Sequence, residues 1–149
     1  LKMSNMTSEK KIKKLNDKFS KEIIYIKDST IENAGLGVFA KKKIKKNTKI
    51  GEYSGKIYTD MSIMNSKTKD TNYFFEVNDY KNKNKFIIDA KPLKYSNFTR
   101  FINGVFDDYQ KEKQNCKFYQ NNNKIFAKTI SDINPDEELL IHYGDSYYL

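Results

Sequence analysis

The chain has 149 residues, of which 38% are hydrophobic and 14% aromatic, and it carries a formal net charge of +9. That is one domain with enough apolar material for a core, built mainly from Phe, Tyr and Ile because Trp is absent. A single cysteine, Cys116, excludes an internal disulfide and a cysteine-built metal site. The lone His142 argues against zinc, and no apolar run is long enough to cross a membrane.

Taken in chain order, residues 1–21 form a lysine-rich arm, with Ile12, Leu15 and Phe19 at helical spacing. The domain proper is expected over residues 22–149. Glu22–Lys27 is β-branched and aromatic and predicts a strand. Asn33-Ala34-Gly35-Leu36-Gly37 predicts a turn, and Val38–Ala40 a short strand after it. Thr48–Gly55 predicts a strand interrupted by Gly51, and Met61–Asp70 a brief helix. Tyr73–Val77 and Lys85–Asp89 predict paired strands across a turn at 78–84. Pro92 stops any continuation. Gly104–Asn115 is charged and irregular and predicts an exposed loop. Cys116–Gln120 and Lys124–Lys128 predict strands joined by three asparagines, and Leu139–His142 a last strand after a turn at Pro135. The result is a mainly β fold of several small sheets with few short helices.

Two local features stand apart from this pattern. Arg100 is the only arginine in a chain whose other basic side chains, His142 aside, are lysines. A guanidinium offers a planar fork that an ammonium cannot copy, so Arg100-Phe101-Ile102-Asn103 marks a place where geometry matters. Charge is also unevenly spread. Residues 1–27 contain eight lysines and residues 41–49 six, whereas residues 132–149 contain five acids and no lysine. The basic stretches suit a solvated surface, or contact with nucleic acid; the acidic end suits a cationic partner.

Four segments, in order, resemble the SET-domain family of protein lysine methyltransferases. They are Ala34–Ala40, Ile50–Gly55, Arg100–Asn103, and Phe126–Lys128 continued by Ile133 and Asp136–Gly144. Together they run over residues 30–147, in the manner of small stand-alone members without zinc-binding flanking modules. The resemblance implies small β-sheets around a C-terminal pseudoknot, S-adenosylmethionine as cofactor, and a protein lysine as acceptor, with a histone tail the first substrate to expect. It also implies an intracellular, nuclear or chromatin-associated setting.

Methyl transfer to an amine needs a fixed donor, an uncharged nitrogen and alignment. Orientation of two reactants alone can supply about 7–11 kcal/mol. By resemblance, the main chain at Gly35, Leu36 and Gly37 cradles the cofactor, and Arg100, Phe101, Asn103 and Gly104 continue that site. Arg100 braces the pseudoknot rather than touching substrate. Tyr73 matches a position that contacts the cofactor, or is a core aromatic. Tyr143 matches the catalytic tyrosine beside the transferring methyl and also borders the cofactor. Tyr53 matches a tyrosine that lines the lysine channel and hydrogen-bonds the amine, with strand packing as an equal alternative. Ile141 stands where relatives carry a ring that influences the number of methyl groups, and Tyr147 is a candidate channel wall. No metal ligand is expected.

The sequence departs from the family pattern at three points. Gly104 follows Asn103 where relatives have histidine, His142 precedes Tyr143 where they have aspartate, and Ile141 replaces an aromatic. These departures keep two other readings open: a SET-like module that binds basic peptides or chromatin without catalysis, and a basic nucleic-acid-binding protein.

Overall fold

The computed structural model describes residues 18–105 and 111–142. A short helix, α1 (Lys18–Ile23), runs into β1 (Ile24–Asp28), which pairs antiparallel with β2 (Leu36–Ala40). β3 (Lys49–Glu52) and β4 (Lys56–Tyr58) follow, then β5 (Phe74–Asp79) and β6 (Asn84–Asp89). After a 3-10 turn come β7 (Asn103–Val105), β8 (Cys116–Asn121), β9 (Lys124–Thr129) and β10 (Leu140–His142). They form a two-stranded sheet β1-β2, a three-stranded sheet β4-β6-β5, and a five-stranded sheet in the order β3-β9-β8-β10-β7. Among the described residues, no helix is long and apolar enough to cross a membrane.

The strands form where side chains alternate between core and solvent. In β9, Ile125, Ala127 and Thr129 are buried while Lys124 is exposed and Phe126 and Lys128 are partly so. β8 pairs with β9 across the Asn121–Lys124 turn, with Asn122 in the left-handed region that asparagine tolerates. Inward residues of all three sheets meet in one core that includes Val38, Phe75, Ile88, Phe98, Ile102, Phe118 and Ile141.

β10 decides the topology. It pairs in parallel with β7 on one side (Leu140 with Asn103, Ile141 with Gly104) and with β8 on the other (Ile141 with Cys116). β7 and β8 are consecutive in sequence, so the chain's late segment fills the gap between two strands laid down earlier. The segment leading into β10 is also bonded to β2: Ala40 N–H donates to the Glu137 carbonyl, and Leu139 N–H to that of Val38. Ile44 and Ile133 exchange both of their backbone bonds.

Several local expectations are corrected. Glu22 and Ile23 belong to the helix, and β1 starts only at Ile24. The strand expected over Thr48–Gly55 is shorter: β3 ends at Glu52, with a register irregularity between Lys49 and Gly51, and the chain then crosses to a separate strand of the small sheet, β4, which begins at Lys56. Gly55 makes the crossing possible, because a Cβ there would stand 2.3 Å from the Asp89 carbonyl oxygen. The loop expected from Gly104 onward begins with β7 and contains a 3-10 turn at Lys111–Lys113. Ile12 and Leu15 of the amino-terminal arm lie outside the described residues.

Asn115 fastens the inserted strand. Its buried side chain donates to the Glu138 carbonyl at 2.8 Å and accepts from Leu140 N–H at 2.8 Å. Its own N–H donates to the Leu140 carbonyl. Replacing Asn115 by Ala strands one buried donor and one buried acceptor, each costing about 1–3 kcal/mol. The expected loss of about 2–4 kcal/mol is read from the shift in a denaturant midpoint.

Candidate functional site

The Ser29–Gly37 turn, the Asn97–Asn103 segment and the start of β10 meet around one carboxylate. Glu138 is 7% exposed. Its Oε1 accepts from Thr30 N–H (2.9 Å) and from the Thr30 hydroxyl (2.6 Å), and its Oε2 from the Ser29 hydroxyl (2.7 Å). Asn103 Nδ2 lies 3.4 Å from Oε2 and donates more closely, at 2.9 Å, to the Leu36 carbonyl. Among the described residues, the partners of this nearly buried carboxyl group are neutral dipoles.

Gly37 is glycine because of this carboxylate. A Cβ there would stand 2.3 Å from Glu138 Oε2 and 3.2 Å from Ser29 Cβ. Gly35 has a different reason: its φ of +73° turns the chain after Asn33, itself at +64°. Gly35 is exposed, with nothing within 4 Å of where its Cβ would be, so its backbone faces open space.

Asn97 and Asp70 orient the neighbouring cleft. Each caps a 3-10 turn: Asn97 Oδ1 accepts from Thr99 N–H ahead of Phe98–Phe101, and Asp70 Oδ1 from Asn72 N–H ahead of Thr71–Tyr73. Asn97 also ties its turn to the large sheet by donating to the Glu52 carbonyl at 2.7 Å. The Asn72 N–H, with Lys91 at 3.3 Å, holds the Asp70 carboxyl below its ordinary value, so it is ionised at neutral pH.

Between these turns lies a cleft of about 190 Å³ lined by Tyr53, Asp70, Asn72, Tyr73, Phe75, Thr99, Arg100, Ile102, Asn103 and Phe118. This is smaller than the 300–1,000 Å³ of most small-molecule pockets, so it suits one end of a ligand rather than a whole one. The Arg100 guanidinium carbon is 4.9 Å from the ring centres of both Tyr73 and Phe101. Arg100 Nε is buried and has no hydrogen-bond partner among the described residues. Tyr53 is buried, and its hydroxyl donates to the Tyr73 carbonyl at 2.7 Å while its ring meets Phe118 edge-on.

The structure therefore brings Tyr53, Tyr73, Arg100 and Asn103 to one cleft, with Leu36 and Gly37 joined to it through Asn103 and Glu138. Phe101 packs on the core beside Arg100. Gly104 is buried in β7, and Ile141 is fully buried between β7 and β8. Tyr143 and Tyr147 lie outside the described residues. The acidic end is less free than its sequence implies. Glu138 is buried, Asp132 binds Lys46 N–H and Lys43, and Asp136 accepts from the Tyr25 hydroxyl. Sequence reasoning missed the roles of Glu138 and Asn115. The available signs were slight: Glu138 stands just before the apolar Leu139–Ile141, and Asn115 just before the strand expected from Cys116.

Comparison with known proteins follows the same geometry. The family model for the PR domain of PR domain zinc finger protein 2 matches residues 24–149. Mouse histone-lysine N-methyltransferase MECOM is 33% identical over 118 residues, covering 78% of this chain and 9% of the relative. Histone-lysine N-methyltransferase set-17 of Caenorhabditis elegans is 33% identical over 130 residues, covering 82% of this chain and 41% of the relative. The chain thus spans less than half the length of either curated relative. The solved methyltransferase domain of human PR domain-containing protein 2 superposes with a TM-score of 0.67 at 28% identity, covering 89% of this chain and 81% of that one.

Gly37→Ala and Glu138→Ala test the carboxylate from opposite sides. The first keeps every donor but pushes the carboxylate aside, at about 1–3 kcal/mol. The second strips the half-buried Ser29 and the exposed Thr30 of their acceptor, at about 1–3 kcal/mol. Both losses are read from urea unfolding.

Proposed function

Because this chain belongs to the PR/SET-domain family and has the fold of its methyltransferase domains, we propose that it is a protein-lysine N-methyltransferase acting on a histone tail with S-adenosylmethionine as cofactor. The relatives named above as histone-lysine methyltransferases support the substrate class. The observation that carries the reading is Arg100: a guanidinium fixed between two rings, with one buried N–H that finds no partner among the described residues, at the edge of a cleft it shares with Asn103.

The residues present fit such a cofactor. A carboxylate would satisfy Arg100 Nε, which is buried without a partner among the described residues, and a buried donor left unpaired costs about 1–3 kcal/mol. The open backbone at Gly35 leaves room for close approach, with Leu36 half-buried beside it and Gly37 buried against Glu138. The cofactor, when bound, supplies a methyl group on a positively charged sulfur. Tyr73 and Phe101 hold the Arg100 fork in place, and Asn103 locks the Leu36 carbonyl beside it.

Tyr53 and Tyr143 carry the acceptor side of the proposal. The Tyr53 phenol is oriented by its hydrogen bond to the Tyr73 carbonyl. Phe75 and Phe118 beside it disfavour a charged amine and thereby lower its pKa. Tyr143, next in sequence after β10, is assigned to orient the nitrogen and support the positive charge of the transfer. Ile141 and Tyr147 are assigned to shape the acceptor channel. In the cell this activity belongs to chromatin.

Calorimetric titration with S-adenosylmethionine, followed by methylation of a histone tail peptide, tests the reading. Arg100→Lys keeps the charge but loses the fork, and is expected to weaken cofactor binding about tenfold. Tyr143→Phe is expected to bind cofactor normally and to lose about a hundredfold or more in methyl transfer. Absence of cofactor binding would overturn the assignment, and undiminished transfer by Tyr143→Phe would overturn the role of that residue.

A further inference from the structure

The outward face of the β3-β9-β8 stretch is unusual for a solvated surface. Lys49, Lys128 and Lys117 are cross-strand partners, so three ammonium-bearing chains stand side by side in one row. Like charges directly opposite one another oppose sheet pairing. No acidic residue occurs between Lys113 and Ser131. Glu52, opposite Phe126, is the one acid in the next row. Lysines alone would be a weak signal, but this row lies against aromatic rings.

Tyr119 and Phe126 are cross-strand partners on the same face, with ring centres 5.8 Å apart and planes inclined by 33°. Both are partly exposed, and neither belongs to the core cluster or packs against it. Each ring is instead covered by a lysine: Lys49 lies 4.5 Å from the Phe126 centre and Lys128 5.0 Å from that of Tyr119. Gln120, between them in sequence, points away and binds the backbone of Asn78. Asn121 and Lys124 close the face at the turn.

We propose that this face binds single-stranded RNA. Two neighbouring rings on a sheet give stacking platforms for successive bases, and the lysine row neutralises the phosphates between them. The lysines covering the rings are flexible and would swing towards phosphate as a base takes their place. Asn121 offers the amide donor and acceptor that a 2′-hydroxyl uses. A duplex hides its base faces and gains nothing from the rings. The inference is independent of the methyltransferase reading, because none of these residues lines the cleft.

The test is fluorescence anisotropy of the full chain with a dye-labelled oligouridine, in a salt series. Wild type is expected to bind the RNA strand more tightly than the DNA strand or a duplex of equal length, with affinity falling as salt rises. The double variant Tyr119→Leu/Phe126→Leu is expected to lose about 25-fold or more, at roughly fivefold or more per ring. Lys117→Gln/Lys128→Gln should also weaken binding and flatten the salt dependence. Lys81→Gln/Lys83→Gln, at the β5–β6 turn, is expected to change nothing. Equal loss in that control, equal binding of duplex, or no effect of the ring variant in a protein whose circular dichroism is unchanged would overturn the proposal.

Discussion

A nearly buried carboxylate whose hydrogen-bond partners among the described residues are all neutral holds the candidate site in place. Glu138 takes bonds from Ser29 and Thr30 at the β1–β2 turn and lies within reach of Asn103 in β7. These groups are more than 100 residues apart in sequence on one side and 35 on the other. A charge removed from water is costly unless donors replace the water, so the surrounding hydroxyls and N–H groups are constrained to converge. The absence of a side chain at Gly37 is part of the same constraint, since a methyl group would occupy the oxygen's position.

The insertion of β10 between β7 and β8 gives the carboxylate its leverage. β10 is only three residues long, and alone it could not hold its place. Asn115 supplies the missing backbone-like bonds on the β8 side, and Asn103 pairs with Leu140 on the β7 side. The Asn103 side chain, through the Leu36 carbonyl, then fixes the turn at Gly35 relative to the cleft of Arg100 and Tyr53. Cys116 is fully buried, with its thiol pushed far above its ordinary pKa by desolvation, and no cluster of metal-binding side chains occurs among the described residues.

Much of this was legible in the sequence, for physical reasons. Lys124–Thr129 declares itself by alternation, Phe74–Asp79 by its aromatic and β-branched residues, and the asparagine turn between β8 and β9 by its backbone tolerance. Arg100 stood out by composition, and its seat between two rings is a role that lysine fills poorly. β4 and β7 were not legible, because three residues carry no period and β4 leaves Ile57 at 53% exposure. Nor was the role of Glu138. In sequence it is one of several acids near the chain's end, and only partners far away in the chain distinguish it from a surface charge.

Native-state hydrogen exchange of single amides tests the central claim most directly. If β10 and the Glu138 carboxylate clasp the turn and β7 into one body, the Thr30, Leu139 and Leu140 amides open together, with the same free energy as the β8–β9 core. Early exchange at Thr30 and Leu140, while Phe118 and Ala127 stay protected, would contradict it.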